Sequence, residues 1–250
     1  MKIIACIKRV PATDAQAKIE ADATNLDTSS FQYMTSFYDE IAVEQAVQTK
    51  EALGGEVTVL TLGPSASSKE VRECIAKGAD AGVILTDDGW QLRDCRSTAK
   101  ALCAKIAELG ADLVFCGKVA TDRDNAAVGP MLATYLGWAC VSDVCELQLD
   151  GTSGTAKRAT EAGIESVSFT LPAVITCDKG LNEPRYAGLK GIMAAKKKPL
   201  DELAPEAIES HAQVISLELP PPRPEGRIIG EGAAAVDDLI DALRNEAKVL

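Results

Sequence analysis

The sequence predicts an α/β fold with a mostly parallel sheet, helices on both faces of the sheet, a hairpin and an extended C-terminal arm. Short apolar runs alternate with amphipathic stretches over the first two-thirds of the chain, and this alternation is typical of strand–helix–strand units. The chain has 250 residues, enough to bury a large core, and 46% of them are hydrophobic. Only 4% are aromatic, so we expect a core of Ala, Val, Leu and Ile.

The predicted elements follow one another in a regular order. The first strand is predicted at residues 2–8, and near-helical spacing of apolar residues predicts a helix over Phe37–Leu53 that ends at Gly54-Gly55. Ser67, with Glu70 three positions later, predicts a capping box at the start of the next helix. The alternation continues with a strand at 57–62, the capped helix ending at Gly78, a strand at 82–85, a helix at about 92–109, a strand at 112–116 and an apolar helix that ends at Leu136.

The last third of the chain has a different pattern. Residues 144–149 and 155–169 flank Asp150-Gly151, a sequence that favours a hairpin. Residues 171–177 form an apolar run that predicts a buried strand, and Pro184 begins a long predicted loop.

We expect an α/β domain over residues 1–205 and an arm over 206–250. The arm contains Pro220–Pro224, an extended polyproline-like segment, and an amphipathic helix from roughly 234 to 248. Neither piece of the arm has an obvious core of its own, so the arm is expected to pack on another surface.

Charge and hydropathy exclude several functions. With 26 Lys and Arg against 37 Asp and Glu, the net charge is −11, which argues against a nucleic-acid binder. No apolar run approaches the roughly 18 residues of a membrane span, and residues 1–8 are too short for a signal peptide. A cytoplasmic location, in a bacterium, is therefore expected.

The eight cysteines and the single histidine exclude several kinds of site. The cysteines lack Cys-x-x-Cys spacing, so reduced, buried thiols are expected rather than zinc, iron–sulfur or disulfide sites. His211 lies in a late polar segment, and a catalytic triad would depend on it alone. We therefore expect no nucleophilic triad.

The loop at 117–130 is the first candidate binding site. It follows a predicted strand, Gly129 would let a phosphate approach the backbone, and the amides of 126–129 lie at a helix start, where the helix dipole favours anions. In the alternative interpretation the loop is an ordinary connection whose polar side chains only cap the helix, namely Asp122, Asp124 and Asn125. The residues alone leave both interpretations open.

The second candidate is a segment at about 184–199, which we call the docking segment. It combines the lysine run Lys196–Lys198 with apolar Leu189, Ile192 and Met193. In a chain with a net charge of −11, this local basic patch is either a solvated loop or a docking surface for an acidic partner.

Residues 171–176 (LPAVIT) and 180–199 (GLNEPRYAGLKGIMAAKKKP) resemble the signature of the beta subunit of electron transfer flavoprotein. The resemblance covers nearly the whole chain. It includes Lys8-Arg9-Val10-Pro11 after the first strand, residues 40–47 (EIAVEQAV) in the first helix, and the loop from Gly117 to Gly129.

This resemblance implies a heterodimer with an alpha subunit that holds a redox-active FAD, and a fold of the adenine nucleotide alpha hydrolase type. The beta subunit would carry AMP as a structural nucleotide, and the arm at 206–250 would pack on the alpha subunit. Flavin dehydrogenases such as acyl-CoA dehydrogenases would dock on it, and no catalytic side chain is implied because the flavin carries the chemistry. Two alternatives stay open: a bifurcating subunit with a second FAD that accepts hydride from NADH, and a stand-alone adenine-nucleotide-binding module.

The resemblance also implies which residues form the sites. Val10 and Thr13 would approach the alpha-subunit flavin, and Leu189 would anchor a partner dehydrogenase, with Ile192 and Met193 beside it. The implied nucleotide contacts are Ala5, Cys6, Ser36, Phe37, Tyr38, Asp39, Leu62, Gly117, Lys118, Val119, Ala120, Thr121, Asp122, Arg123, Asp124, Asn125, Ala126, Ala127, Val128 and Gly129.

The chain departs from the family pattern at two places. Ser36-Phe37 stands where the family usually has Asn-Pro. The ending Val128-Gly129-Pro130 resembles the bifurcating branch, whereas Arg123, Asn125 and Ala127 differ from it. Arg123 in place of Gly would crowd a diphosphate or pair with it, and AMP is the expected nucleotide.

Overall fold

The protein is described by a computed structural model that covers residues 1–223 and 225–250. Pro224, the last residue of the predicted polyproline-like segment, lies outside the described residues. The chain forms two compact units, Met1–Ile215 and Ser216–Leu250. The first unit has the α/β fold that the sequence predicts.

The bounds of the elements are as follows. The strands are β1 (Lys2–Cys6), β2 (Arg9–Pro11), β3 (Tyr33–Thr35), β4 (Glu56–Gly63), β5 (Ala81–Thr86), β6 (Leu113–Gly117), β7 (Ala139–Leu149), β8 (Ser153–Thr160), β9 (Gly163–Thr170), β10 (Ala173–Cys177) and β11 (Leu200–Leu203). The α-helices are α1 (Phe37–Leu53), α2 (Ser68–Lys77), α3 (Cys95–Leu109), α4 (Val128–Leu136), α5 (Leu189–Ala195) and α6 (Val236–Asp241). Short 3₁₀ turns cover Ser65–Ser67, Trp90–Leu92 and Ala233–Ala235.

Nine strands form one sheet in the order β11-β5-β4-β1-β6-β10-β7-β8-β9, and β2 pairs with β3 in a separate antiparallel ribbon. The pairs from β11 to β7 are parallel, whereas β8 pairs antiparallel with both β7 and β9. The chain runs outward from β1 to β4 and β5, then returns to place β6 on the other side of β1. This reversal creates a crevice at the carboxyl ends of β1 and β6, which is where sheets of this kind bind ligands.

Helices cover both faces of the parallel strands, as predicted. Ile3 and Ala5 of β1 face one apolar cluster with α1 and α2, whereas Ile4 and Cys6 face a second cluster with α3 and α4. Successive side chains of a strand point to opposite faces, so strands buried on both sides are apolar throughout. This explains why the central strands appear in the sequence as continuous apolar runs.

Several predicted elements are confirmed, and two expectations are wrong in part. The predicted helix over Phe37–Leu53 is α1, and α4 ends at Leu136 as expected. The expected second hairpin strand at 155–169 is two strands, β8 and β9, because the chain reverses again before Gly163, whose φ is +132°. The expected long loop contains the helix α5 and leads to the edge strand β11.

The capping box predicted at Ser67 and Glu70 does not form. α2 begins after Ser67 as expected, but no side-chain bond caps it, and the Ser67 hydroxyl is buried without a partner. The Glu70 carboxylate accepts hydrogen bonds from Arg9 at 2.8 and 3.0 Å instead. A distant cation therefore displaces the local cap.

In the second unit, Ser216–Leu250, the described residues 216–223 and 225–230 form no helix or strand. The predicted terminal helix is present: the 3₁₀ turn at Ala233–Ala235, α6 and a wider turn at Ala242–Glu246 follow one another directly. None of the helices in the described ranges has the length and apolarity that crossing a membrane requires.

Candidate functional site

The structure brings the predicted site residues together at the crevice between β1 and β6. Ala5 pairs with Phe115, so Cys6 lies beside the end of β6, and Cys6 pairs with Leu60 of β4 on its other side. The ends of β1, β4 and β6 therefore meet at one edge of the sheet. The start of α1, at Ser36–Asp39, adjoins the same edge because its groups bond to both Lys8 and Gly117.

Asp39 joins the two central strands at their carboxyl ends. Its buried carboxylate accepts one hydrogen bond from the Lys8 amide, at 2.8 Å, and one from the Gly117 amide, at 2.9 Å. Burial raises the pKa of Asp39 to about 7, although the two amides act in the opposite direction. Each oxygen of the carboxylate thus accepts a backbone amide, so the role of Asp39 is to hold the two strand ends in place.

Gly117 is required at this position by close packing. A Cβ atom built there would lie 2.5 Å from Asp39 Oδ1 and 2.8 Å from the Asp39 amide nitrogen. Those distances are shorter than van der Waals contact allows, so only glycine lets β6 approach α1 this closely. Gly129 is similar, because its Cβ would lie 2.5 Å from the Thr176 methyl carbon.

Ser36 and Lys8 hold the predicted nucleotide loop against the strand ends. The Ser36 amide donates to the Lys8 carbonyl at 3.0 Å, and the Ser36 hydroxyl accepts from the Thr121 amide at 3.3 Å. The Lys8 ammonium donates to both oxygens of Asp122, at 2.6 and 2.8 Å. The sequence did not identify Lys8 as a site residue, because its partner is 114 positions away.

The segment from Thr121 to Ala126 is exposed and irregular, and Asp124 and Ala126 have φ values of +49° and +51°. These left-handed conformations are unusual for residues other than glycine and store some strain, which is frequent in ligand-binding loops. The loop then enters α4 at Val128.

The interpretation of this loop as a set of helix caps is wrong. No side chain in the described part of the structure caps the start of α4. Asp122 pairs with Lys8, and the Asn125 amide lies 3.2 Å from Cys95 Sγ. The amides of Val128 and Gly129, in the first turn, are therefore left for an anion or for water.

Arg123 is directed toward another loop. Its guanidinium donates to the carbonyl of Gln91, in the 3₁₀ turn at Trp90–Leu92. This contact ties the candidate nucleotide loop to the segment before α3.

The residues on the other side of the loop form a second polar group. The Lys118 ammonium bonds to Asp178 at 3.0 Å and lies 5.2 Å from the centre of the Tyr38 ring. The hydrogen bond to Asp178 raises the pKa of Lys118. Phe37, which stands where the family usually has Pro, is partly exposed and packs edge-on against Tyr38.

The thiols at this edge of the sheet are not activated. Burial raises the pKa of Cys177, and contact with Cys6 together with burial raises the pKa of Cys116. All eight cysteines are unpaired, as expected, but only four of them are buried: Cys95, Cys103 and Cys145 are half-buried, and Cys140 is exposed. Cys6 and Leu62 are both buried, and their side chains belong to the apolar cluster with α3 and α4.

The two predicted flavin-facing residues differ in exposure. Val10, in β2, is 1% exposed, whereas Thr13 is exposed in the turn that follows. Arg9 fixes the β2–β3 ribbon, because its guanidinium bonds to the fully buried Glu70 and lies 4.3 Å from the centre of the Tyr33 ring. Only Thr13 is therefore free to contact another molecule with its side chain.

The docking segment presents exposed apolar side chains on the short helix α5. Leu189 is 75% exposed, and Ile192 and Met193 are exposed as well. Lys190, Lys196 and Lys197 are exposed around them. The segment thus combines an apolar surface with a positive rim.

A groove of about 550 Å³ lies between α3, the end of α4 and residues 206–211. Arg96, Lys100, Tyr135 and His211 are among the residues that line it. None of the predicted nucleotide-contact residues does so.

Comparisons with known proteins agree on one family. A family model described as the electron transfer flavoprotein domain matches residues 31–208. Electron transfer flavoprotein subunit beta of Bacillus subtilis is 35% identical over 259 aligned positions that span all of both chains. The mitochondrial subunit beta of Oryza sativa subsp. indica is 37% identical and the subunit beta of Bradyrhizobium diazoefficiens is 34% identical, again over all of both chains.

Proposed function

Because the chain belongs to the electron transfer flavoprotein family and resembles its beta subunits over its full length, we propose that it is the beta subunit of a heterodimeric electron carrier. In this proposal the alpha subunit holds a redox-active FAD, and the present chain holds a structural AMP. Flavin supplies the electron-transfer chemistry, and this chain binds, orients and docks. It needs no catalytic acid, base or nucleophile of its own.

The observation that carries the nucleotide proposal is the joint between Asp39 and the ends of β1 and β6, next to the uncapped start of α4. The joint fixes the crevice, and the amides of Val128 and Gly129 suit a single phosphate. The donor set therefore fits a mononucleotide. AMP, the nucleotide that the resemblance to the family implies, is proposed in preference to a second FAD; Arg123 stands where the bifurcating branch has Gly, and its guanidinium donates to the Gln91 carbonyl.

The proposed partners follow from two exposed surfaces. The docking segment, apolar with a positive rim, suits a flavin dehydrogenase such as an acyl-CoA dehydrogenase whose receiving cavity is apolar and acidic at its edge. The arm at 206–250 is proposed to pack on the alpha subunit, and the exposure of Val236, Leu239 and Ile240 supports this role. A cytoplasmic location in a bacterium is part of the same proposal.

The proposed function is tested by nucleotide content. The chain is purified with its alpha subunit, the complex is denatured, and released FAD and AMP are quantified by mass spectrometry. Equal amounts of FAD and AMP support the simple carrier. Twice as much FAD as heterodimer, without AMP, would instead support a bifurcating subunit, and NADH-dependent flavin reduction would then be measured.

A soluble, nucleotide-bound chain that forms no complex with an alpha subunit would overturn the carrier proposal. It would favour the stand-alone adenine-nucleotide-binding module. Stoichiometric binding of flavin by the chain alone would have the same effect.

A further inference from the structure

Arg185 fixes the start of the docking segment to α1. Its guanidinium bonds to Glu44 at 2.8 and 2.9 Å and to Glu51 at 2.6 and 2.9 Å. Its backbone amide donates to Glu44 as well, at 3.1 Å. One arginine therefore joins two carboxylates that lie two turns apart on the same face of the helix, in the paired geometry that makes such bonds strong.

The charges at this contact are held in place. Burial alone would raise the pKa of Glu44, whose side chain is 4% exposed, but the hydrogen bonds from Arg185 outweigh burial and lower it. Bonds from Glu51 and Glu44 raise the pKa of Arg185. Removing the guanidinium would leave a buried carboxylate without its cation, so this contact is specific rather than incidental.

A second set of contacts fixes the end of the segment to α2. The Arg72 guanidinium donates to the carbonyls of Ala195 and Lys198, the latter at 2.6 Å. The Lys198 ammonium donates to the Ala79 carbonyl at 2.6 Å. Gly191 packs so closely on α2 that a Cβ atom there would lie 2.3 Å from the Ala76 carbonyl oxygen.

These two anchors explain why α5 exists. The helix has 7 residues, which is too short to be stable in water without tertiary support. Its outer apolar side chains, Leu189 and Met193, remain exposed. The anchors therefore hold an exposed helix that the local sequence would not maintain.

We propose that Arg185 is a positioning residue that keeps α5 preformed for a partner protein with an apolar cavity and an acidic rim. The inference rests on the proposed docking function of this segment. A helix already formed avoids the entropy cost of ordering when the partner arrives. The apparent affinity is proportional to the fraction of molecules in which the helix is already formed, so it falls when that fraction falls.

The first test is amide hydrogen exchange at residues 189–195 in the heterodimer, comparing the wild type with Arg185→Met and Arg158→Met. Arg158 is a matched control, because it pairs with Glu165 across β8 and β9 and its side chain is 34% exposed, against 35% for Arg185. We expect exchange at α5 to rise about tenfold in Arg185→Met and to stay unchanged in Arg158→Met. Equal protection of α5 in all three proteins would overturn the proposal.

A milder variant keeps the test decisive if Arg185→Met does not fold. Glu51 is exposed, so Glu51→Gln removes part of the charge at the contact and leaves the buried pair with Glu44 intact. We expect exchange at α5 to rise by about two- to threefold in this variant. If Arg185→Met is unfolded and exchange at α5 does not rise in Glu51→Gln, Arg185 stabilises the fold in general rather than positioning α5, and the inference is refuted.

The second test separates docking from electron transfer, with an acyl-CoA dehydrogenase as the probe. In Arg185→Met we expect the KM for the carrier to rise about tenfold while kcat is unchanged, and Arg185→Lys to restore only part of the affinity because lysine cannot form the paired bonds. A fall in kcat at unchanged KM would contradict a positioning role. If the wild type accepts no electrons from the probe, the proposed partner is wrong, whereas the exchange measurement still decides whether Arg185 positions α5.

Discussion

The Asp39 carboxylate and the Gly117 amide are joined by a hydrogen bond of 2.9 Å, which ties the start of α1 to the end of β6. The same carboxylate accepts a hydrogen bond from the Lys8 amide. It therefore holds together the chain segments beside the crevice in which a nucleotide is proposed to bind. Without this buried carboxylate, the amides of Lys8 and Gly117 would lack a hydrogen-bond acceptor at the carboxyl ends of the central strands.

Gly117→Ala is expected to force this joint apart. The new methyl would lie 2.5 Å from Asp39 Oδ1, so we expect a loss of about 1–3 kcal/mol in the free energy of unfolding and a loss of bound AMP. Urea unfolding and nucleotide quantification measure the two effects. Gly226→Ala is the control, because a Cβ there has nothing within 4 Å; similar losses in both variants would contradict the prediction.

The pKa of Asp39 predicts a dependence of stability on pH. Its folded-state pKa of about 7 lies above the ordinary value of 3.8, so the folded chain binds the proton more tightly than the unfolded chain. Stability should therefore fall as the pH rises from about 4 to about 7, by up to about 4 kcal/mol for this group, and then level off. Urea unfolding between pH 5 and 8 should show this slope in the wild type and a reduced slope in Asp39→Asn; parallel curves would exclude the assignment.

Lys8→Met should release the candidate nucleotide loop with little effect on global stability. The ion pair between Lys8 and Asp122 is partly exposed, so its loss should cost less than about 1 kcal/mol. AMP content of the purified heterodimer should nevertheless fall, since the loop loses its link to β1. The matched control is Lys157→Met, which removes an exposed ion pair with Glu146 far from the loop in sequence; the prediction is wrong if both variants retain AMP equally.

Arg9→Met should be strongly destabilising. It would leave Glu70, whose side chain is 0% exposed, without its cation, at a cost of about 3–5 kcal/mol. Arg9→Met combined with Glu70→Gln should recover part of that loss, because the buried charge is gone. Thermal unfolding of the two variants measures the difference, and equal midpoints would show that the buried charge is not the cause.

Leu189→Ala should weaken docking without weakening the fold. The side chain is 75% exposed, so its removal leaves no cavity, and Ile164→Ala, at a residue 70% exposed on β9, serves as the control. We expect the KM for the carrier in a dehydrogenase-coupled assay to rise at least tenfold for Leu189→Ala alone. An unchanged KM would show that Leu189 does not contribute to docking.

The sequence was most informative where local patterns decide the structure. Gly54-Gly55 ends α1 because a C-terminal glycine with a φ of +77° can leave the helix, and that signal is visible in the sequence. The buried strand β10 is equally clear as an apolar run. Such elements depend on neighbours in the chain, so periodicity and glycine positions predict them.

The features that the sequence failed to predict depend on contacts between residues that are distant in the chain. Glu70 would have closed a capping box, but Arg9, 61 positions away, bonds to its carboxylate. The helix α5 was not predicted because Arg72, far from it in the chain, supplies much of its support. In the candidate site, the pairing of Lys8 with Asp122 has no local sequence signal at all.

The bond from Arg123 to the Gln91 carbonyl has a spectroscopic consequence. Gln91 adjoins Trp90, which is one of only two tryptophans in the chain and packs against the cluster formed with α3 and α4. A ligand that rearranges the loop around Arg123 would therefore change the surroundings of an indole ring. With the other tryptophan, Trp138, replaced by Phe, the intrinsic fluorescence of the chain becomes a direct optical signal for events at its proposed nucleotide loop.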